Sequence, residues 1–335
     1  MAAVLRILLG GVCVGEKARR DVKFKSIFCL LFALLLSVGG VEAAIDVRVD
    51  NGVPLSPIID DDGRMLVRTA FPLRVVTLAP ALTELVYAAG AEKKLVGVSA
   101  YSDFPESARH RPQVADAHGV SFESLLAVKP DMVLAWKGGT RPGDIARIES
   151  LGVPVFVVDI RTLADVPRVV RVLGTLLGRP KFADTPQQFA NAFEATLAKM
   201  QADHKDKLKV KVFFEIAQLP LMTVNRNHFI SETMRLCGAE NVFADISQTV
   251  AEPSREELLK RGAEAILRAA SISKDSSRDS ALYGGLPAYR NGRIYPLNGD
   301  WILRPGPRVL LAAEQICAAM DRLRAEDQNS SRTRK

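Results

Sequence analysis

The segment RVVTLAPALTELVYAAGAEKKLVGVSAY, residues 74–101, holds the reading on which the fold turns. Two short apolar runs, Val75–Leu78 and Leu95–Val98, flank a helical pattern from Pro80 to Ala89. Strands joined through a helix run parallel, because a crossover of that kind returns the chain to the starting edge of the sheet. The alternation continues with a helix near Phe122–Ala127, the run Met132–Ala135, a helix over Asp144–Leu151 and the run Val155–Val158. Such runs are strands buried on both faces, so residues 73–162 are expected to form an α/β lobe with helices on each side of a parallel sheet.

Residues 163–205 carry no strand signal. After the break at Gly178-Arg179-Pro180, Phe189, Phe193, Leu197 and Met200 recur at helical spacing over Pro186–His204. A helix of about 20 residues spans about 30 Å, so 163–207 reads as a stiff strut. The alternation then resumes with Val210–Ile216, helices near Ile230–Leu236 and Arg255–Leu259, the apolar Ala263–Ala269, the strand Arg293–Leu297 and a closing helix Val309–Leu323. This is a second α/β lobe, 208–323, followed by a polar tail, 324–335. Before the first lobe, residues 44–72 are turn-rich around Asp60-Asp61-Asp62-Gly63-Arg64 and read as an arm and hairpin. The expected architecture is two Rossmann-like lobes joined by a single long bridging helix, with a cleft between them.

The chain has 335 residues, 48% hydrophobic and 25% charged, enough for two cores. Its formal charge of +7 is partly concentrated in residues 1–43, where six basic groups oppose three acidic ones. No basic stripe interleaved with aromatics remains beyond them, which argues against nucleic acid as a partner. Lys23 and Lys25 precede the apolar run Ile27–Val38, and Val41 and Ala43 stand at the −3 and −1 positions of a cleavage site. That is the pattern of a secretory signal peptide, 1–43, with the mature chain starting at Ala44; the run is too short to span a bilayer, which needs about 20 residues. Of four cysteines, Cys13 and Cys29 fall in this leader. Cys237 and Cys317 remain, either as a disulfide in an oxidising compartment or as two buried thiols.

Familiar catalytic signatures are missing. Gly97-Val98-Ser99-Ala100-Tyr101 fails the nucleophile elbow at its last position, and no Gly-rich phosphate loop follows a strand. His110, His118, His204 and His228 lack zinc-site spacing, so no metal site is expected. What stands out instead is polar and aromatic residues placed just after strands, where open α/β sheets present ligand crevices: Tyr101-Ser102-Asp103, Trp136-Lys137-Gly138-Gly139, and Asp300-Trp301 with Arg304. The two tryptophans, Trp136 and Trp301, both sit at such edges, where a ring can equally be a packing residue of the lobe's rim.

RVVTLAPALTELVYAAG (74–90), LVGVSAYSDFP (95–105), PQVADAHGV (112–120), LLAVKPDMVLAWKGG (125–139), LCGAENVFAD (236–245) and NGDWILRPGPRVLLAAEQIC (298–317) resemble, in order, the periplasmic cobalamin-binding proteins of bacterial ABC importers. The likeness spans roughly residues 73–320 and places the chain in the wider class of substrate-binding proteins with one bridging helix. It implies a ligand cleft lined by Tyr101, Trp136, Asp300, Trp301 and Arg304, a bond between Cys237 and Cys317, and docking to the two permease subunits through Glu123 and Glu256. This sequence departs from the family's pattern at Ala117 and, approximately, Val250, where the family has aromatic residues. An aromatic side chain buries 150–250 Å², so their loss points to another large planar or chelated ligand, or to cobalamin held in a different pose with help from His118 and Met222.

Three functions therefore compete. The first is a periplasmic, monomeric binding protein that carries out no chemistry and delivers cobalamin to a permease driven by an ATPase. The second binds haem or a ferric siderophore and would favour a cationic cleft. The third is an exported α/β enzyme, for which no nucleophile, base and orienting group can be assembled.

Overall fold

The computed structural model describes residues 55–68, 70–178, 185–269 and 276–333. The expected signal peptide and the first part of the arm lie outside the described residues.

The described residues begin with the hairpin β1 (Leu55–Ile59) and β2 (Met65–Arg68), whose turn is tied into the first lobe. The amide of Asp61 donates to the carbonyl of Val157, and the amide of Val157 donates to the Asp60 carboxylate. The hairpin thereby covers an edge strand that would otherwise offer unpaired backbone groups. Burial alone would raise the Asp60 carboxyl, but backbone donors and the Arg64 guanidinium hold it below its ordinary value.

The first lobe contains β3 (Val75–Thr77), α1 (Pro80–Ala88), β4 (Leu95–Ser99), β5 (Gln113–Asp116), β6 (Gly119–Val120), α2 (Phe122–Ala127), β7 (Met132–Trp136), α3 (Pro142–Ser150) and β8 (Val155–Val158). Its six strands lie in the order β6-β5-β4-β3-β7-β8, all parallel except β6. Val75, Val76, Val133, Leu134 and Ala135 are fully buried, as continuous apolar strands covered on both faces require. Strands β5 and β6 go beyond the sequence pattern; Gln113–Asp116 has too little apolar content to announce itself.

Two helices, α4 (Asp165–Leu177) and α5 (Thr185–His204), follow. Helix α5 packs against α1 and α4 on one side, and on the other against α6 (Phe229–Leu236) and α11 (Val309–Thr333). It buries Phe189, Phe193 and Met200, three of the four residues on its expected apolar face.

The second lobe has a smaller parallel sheet in the order β12-β9-β14-β15, from β9 (Val210–Glu215), β12 (Ala239–Asn241), β14 (Ala265–Ala269) and β15 (Ile294–Leu297). Beside it lies an antiparallel sheet of β10 (Ala217–Gln218), β11 (Leu221–Val224) and β13 (Val250–Ala251). The remaining helices are α7 (Arg255–Arg261), α8 (Ser276–Tyr283), α9 (Pro287–Arg290) and α10 (Gly299–Ile302). Helix α11 runs past the expected end at Leu323 to Thr333, because the start of the supposed polar tail is anchored. Arg324 is buried and donates to the carbonyls of Leu208 and Cys237, and Asp327 pairs with Arg293. A disulfide joins Cys237, at the end of α6, to Cys317 in α11.

Candidate ligand cleft

In each main sheet the strand order reverses once. The first lobe builds outward from β3 to β5 and then resumes on the other side of β3 with β7; the second builds from β9 to β12 and resumes beside β9 with β14. Crevices open beyond the carboxyl ends of strands at such reversals. A cleft of about 570 Å³ lies there, lined by Pro80 and Tyr101 of the first lobe and by Asn298, Gly299, Asp300, Leu303 and Arg304 of the second. Tyr101, Asp300 and Arg304 thus line one hollow, across the boundary between the lobes.

Tyr101 is 74% exposed and has a φ of +62°. An aromatic residue in the left-handed region costs on the order of 1–3 kcal/mol, a cost found most often at functional sites. Trp136 ends β7, where its amide donates to Thr140 Oγ1. Its ring lies across the next turn: a Cβ added to Gly138 or Gly139 would come within 2.7 or 2.6 Å of the indole. Only glycines leave room for the ring in that place. Trp136 and Trp301 are both half-buried against the main core, and neither lines the 570 Å³ cleft. Each tryptophan therefore has a packing role.

His118 and Met222 sit elsewhere. His118 is exposed in the turn between β5 and β6, its amide donating to Asp116 Oδ1. Met222 lines a different hollow of about 430 Å³ with Phe243 and Val250. Glu123 and Glu256 are exposed in the first turns of α2 and α7, which Ser121 and Ser254 cap through their hydroxyls. Among the described residues neither glutamate has an ion-pair partner, and each is favoured by its helix dipole.

Charge in the cleft is arranged as two links between the lobes. At the mouth, Arg304 donates to Asp103 Oδ1 of the first lobe and to Asp300 Oδ1 of its own lobe, each at 2.7 Å. Burial pushes the Asp103 carboxyl up, but the Arg304 hydrogen bond and charge prevail and hold it below its ordinary value. Deeper, Arg308 grips Glu84 of α1 with two bonds, Nε–Oε2 at 3.0 Å and Nη2–Oε1 at 2.6 Å. Glu84 is 1% exposed and Arg308 9%, and the Arg308 guanidinium also lies 4.2 Å from the centre of the Phe104 ring. Burial raises the Glu84 carboxyl despite that partner. Sequence reasoning missed Glu84 and Arg308. A carboxylate on the apolar face of α1 calls for a partner, but 224 positions of chain separate the two.

At the strand reversal of the second lobe, Arg268 of β14 bridges Glu215 of β9 and Asp279 of α8, and the Tyr283 hydroxyl donates to Glu215 at 2.6 Å. These groups are buried, and they fix α8 to the cleft end of the sheet.

The geometry is that of a two-lobed binding protein, and comparison with known proteins agrees. Residues 75–300 match the family described as periplasmic binding protein. The chain belongs to that family. It is 35% identical over 260 residues to the vitamin B12-binding protein of Pectobacterium atrosepticum, covering 76% of this chain and 91% of the relative. To the vitamin B12-binding protein of Salmonella typhimurium it is 36% identical over 250 residues, covering 75% and 91%. The crystal structure of the periplasmic vitamin B12-binding protein of Vibrio cholerae superposes with a TM-score of 0.68 at 30% identity, over 76% of this chain and 98% of that one. A periplasmic haem-binding protein of Pseudomonas aeruginosa shares the fold, with a TM-score of 0.63 at 24% identity over 76% and 93%. Among the described residues no helix is long and apolar enough to cross a membrane.

Proposed function

We propose that this chain is the periplasmic carrier of cobalamin for an ABC importer, holding the vitamin between its lobes and releasing it to a permease dimer driven by an ATPase. The observation that carries this choice of ligand is the mouth of the cleft. Its lining cation, Arg304, is held between two carboxylates, which leaves acceptors and one negative charge in excess. A corrin rim of amide groups donates hydrogen bonds to such a surface, whereas haem propionates or an anionic siderophore need free cations. The vitamin B12-binding relatives, matched over about nine-tenths of their length, support the same reading.

Within it, Tyr101 and Trp136 cover apolar ligand surface from the first lobe, Trp301 does so from the second, and Asp300 accepts from ligand amides. His118 and Met222 reach the ligand only through a different closure of the lobes. Glu123 and Glu256 dock the two lobes to the two permease subunits, and the chain is exported as a monomer after cleavage behind Ala43.

Isothermal titration of the mature protein against cobalamin, haem and ferric siderophores tests the ligand, with one cobalamin per chain as the expected result and no cobalamin binding as the result that rejects it. Charge reversal at both Glu123 and Glu256 is expected to abolish vitamin uptake while leaving that titration unchanged; undiminished uptake removes the docking role.

A further inference from the structure

Asp103 is a short, partly exposed carboxylate with no part in the ligand contacts assigned to the cleft. It stands two residues after Tyr101 and faces Arg304 across the lobe boundary at 2.7 Å. Arg304 has its other arm on Asp300 at 2.7 Å and lies 3.7 Å from Glu84. Three further cations have acidic partners of their own. Arg308 is spent on Glu84, Lys137 on Asp62 at 2.7 Å, and Arg109 on Glu106 at 3.3 Å. Arg304 is the cation among the residues that line the cleft, and an entering ligand meets it already neutralised from both lobes.

We propose that Asp103 is a specificity-determining residue: by holding Arg304, it withdraws positive charge from the cleft and makes the site discriminate against anionic tetrapyrroles and chelates. The physical ground is the cost of competition. An incoming carboxylate can use the guanidinium only by displacing Asp103 or Asp300, leaving that group unpaired beside a second negative charge. A neutral ligand rimmed with amides meets no such penalty, since it needs acceptors and both aspartates retain free lone pairs. Asp103 touches Arg304 and acts through it, so its role is to position charge.

The role of Asp103 rests on the proposed binding cleft and deepens its ligand assignment, but the two can fail separately. Haem, with two propionates, serves as the anionic probe. Asp103→Asn keeps the side chain's shape and releases Arg304, and it is expected to tighten haem binding by about tenfold, the scale of one charge at a partly exposed site. The gain should shrink as salt is raised, which a packing effect would not do. Arg304→Gln is expected to move haem affinity the other way, and it decides the matter even if Asp103→Asn lowers thermal stability. Haem affinity unchanged in both variants, or weakened by Asp103→Asn in a folded protein, overturns the proposal. Failure of the parent protein to bind cobalamin would overturn the ligand assignment and leave this result standing.

Discussion

Two ion pairs cross from one lobe to the other within a single turn of chain, and they are built differently. Arg308 and Glu84 are buried and joined by two short bonds, while four residues earlier Arg304 shares its charge between Asp103 and Asp300, whose side chains are one-third and one-half exposed. The deeper pair has surrendered its water and cannot part cheaply, so it ties α1 to the start of α11. The outer trio keeps enough water to rearrange, so it can answer to a ligand. Depth separates the buried fastening from the selective surface, although both use arginine and carboxylate.

The largest expected effect comes from breaking the deeper pair. Glu84→Ala leaves Arg308 as an unpaired buried charge and should destabilise the protein by about 3–5 kcal/mol in denaturant melts. Replacing both together, with Glu84→Leu and Arg308→Met, should recover most of that loss, because two apolar groups of similar size leave no charge behind. A single variant that melts like the parent would mean that the pair is not sealed from water.

Acid drives the same contrast by another route. His228 caps α6 by accepting the amide of Ile230 on Nδ1, and burial lowers its pKa to about 4. The unfolded chain takes up this proton near pH 6.5 and the folded chain only near 4, so stability falls as pH drops through that window, by up to about 3 kcal/mol. Asp103, held below its ordinary value by Arg304, loses its contribution only at still lower pH. His228→Asn keeps a capping side chain and removes the titration. The stability difference between parent and variant should therefore change steadily in acid, and a constant difference from pH 7 to 4 would contradict the assignment.

Trp136 tests whether a packing residue also serves the ligand. Trp136→Ala is expected to weaken cobalamin binding by about 2 kcal/mol, near thirtyfold, if the ring is an anchor once the lobes close. Lower thermal stability with unchanged affinity would confine it to packing. The smallest effect belongs to the outer trio: Asp103→Asn should change thermal stability by less than about 1 kcal/mol, as partly exposed pairs do.

Much of the fold is legible in the sequence. The strands Val75–Thr77, Met132–Trp136 and Val155–Val158 are continuous apolar runs, a pattern that short buried parallel strands produce and surface segments do not. Strand ends also point to a crevice, which is why Tyr101, Asp300 and Arg304 can be named together from their positions in the chain. The weaker strands are hidden for a physical reason: Gln113–Asp116, between β4 and β6, and Val250–Ala251, at a sheet edge, are short elements specified by their neighbours rather than by their own composition. Helix α11 continues beyond Leu323 because Arg324 finds buried carbonyls, a contact made with a distant part of the chain. Pairing is the least readable feature. Nothing local in Asp103 or Glu84 says which arginine each will meet, and the cleft's charge depends on that choice.

The sharpest measurement is a competition in one cell, with haem-loaded protein titrated by cobalamin at low salt. Cobalamin should displace haem completely at near-equal concentrations, since the mouth offers acceptors to amides and no free cation to propionates. Haem that stays bound, or that expels cobalamin in the reverse titration, would show that Arg304 is available to anions and that the cleft was built for a different ligand.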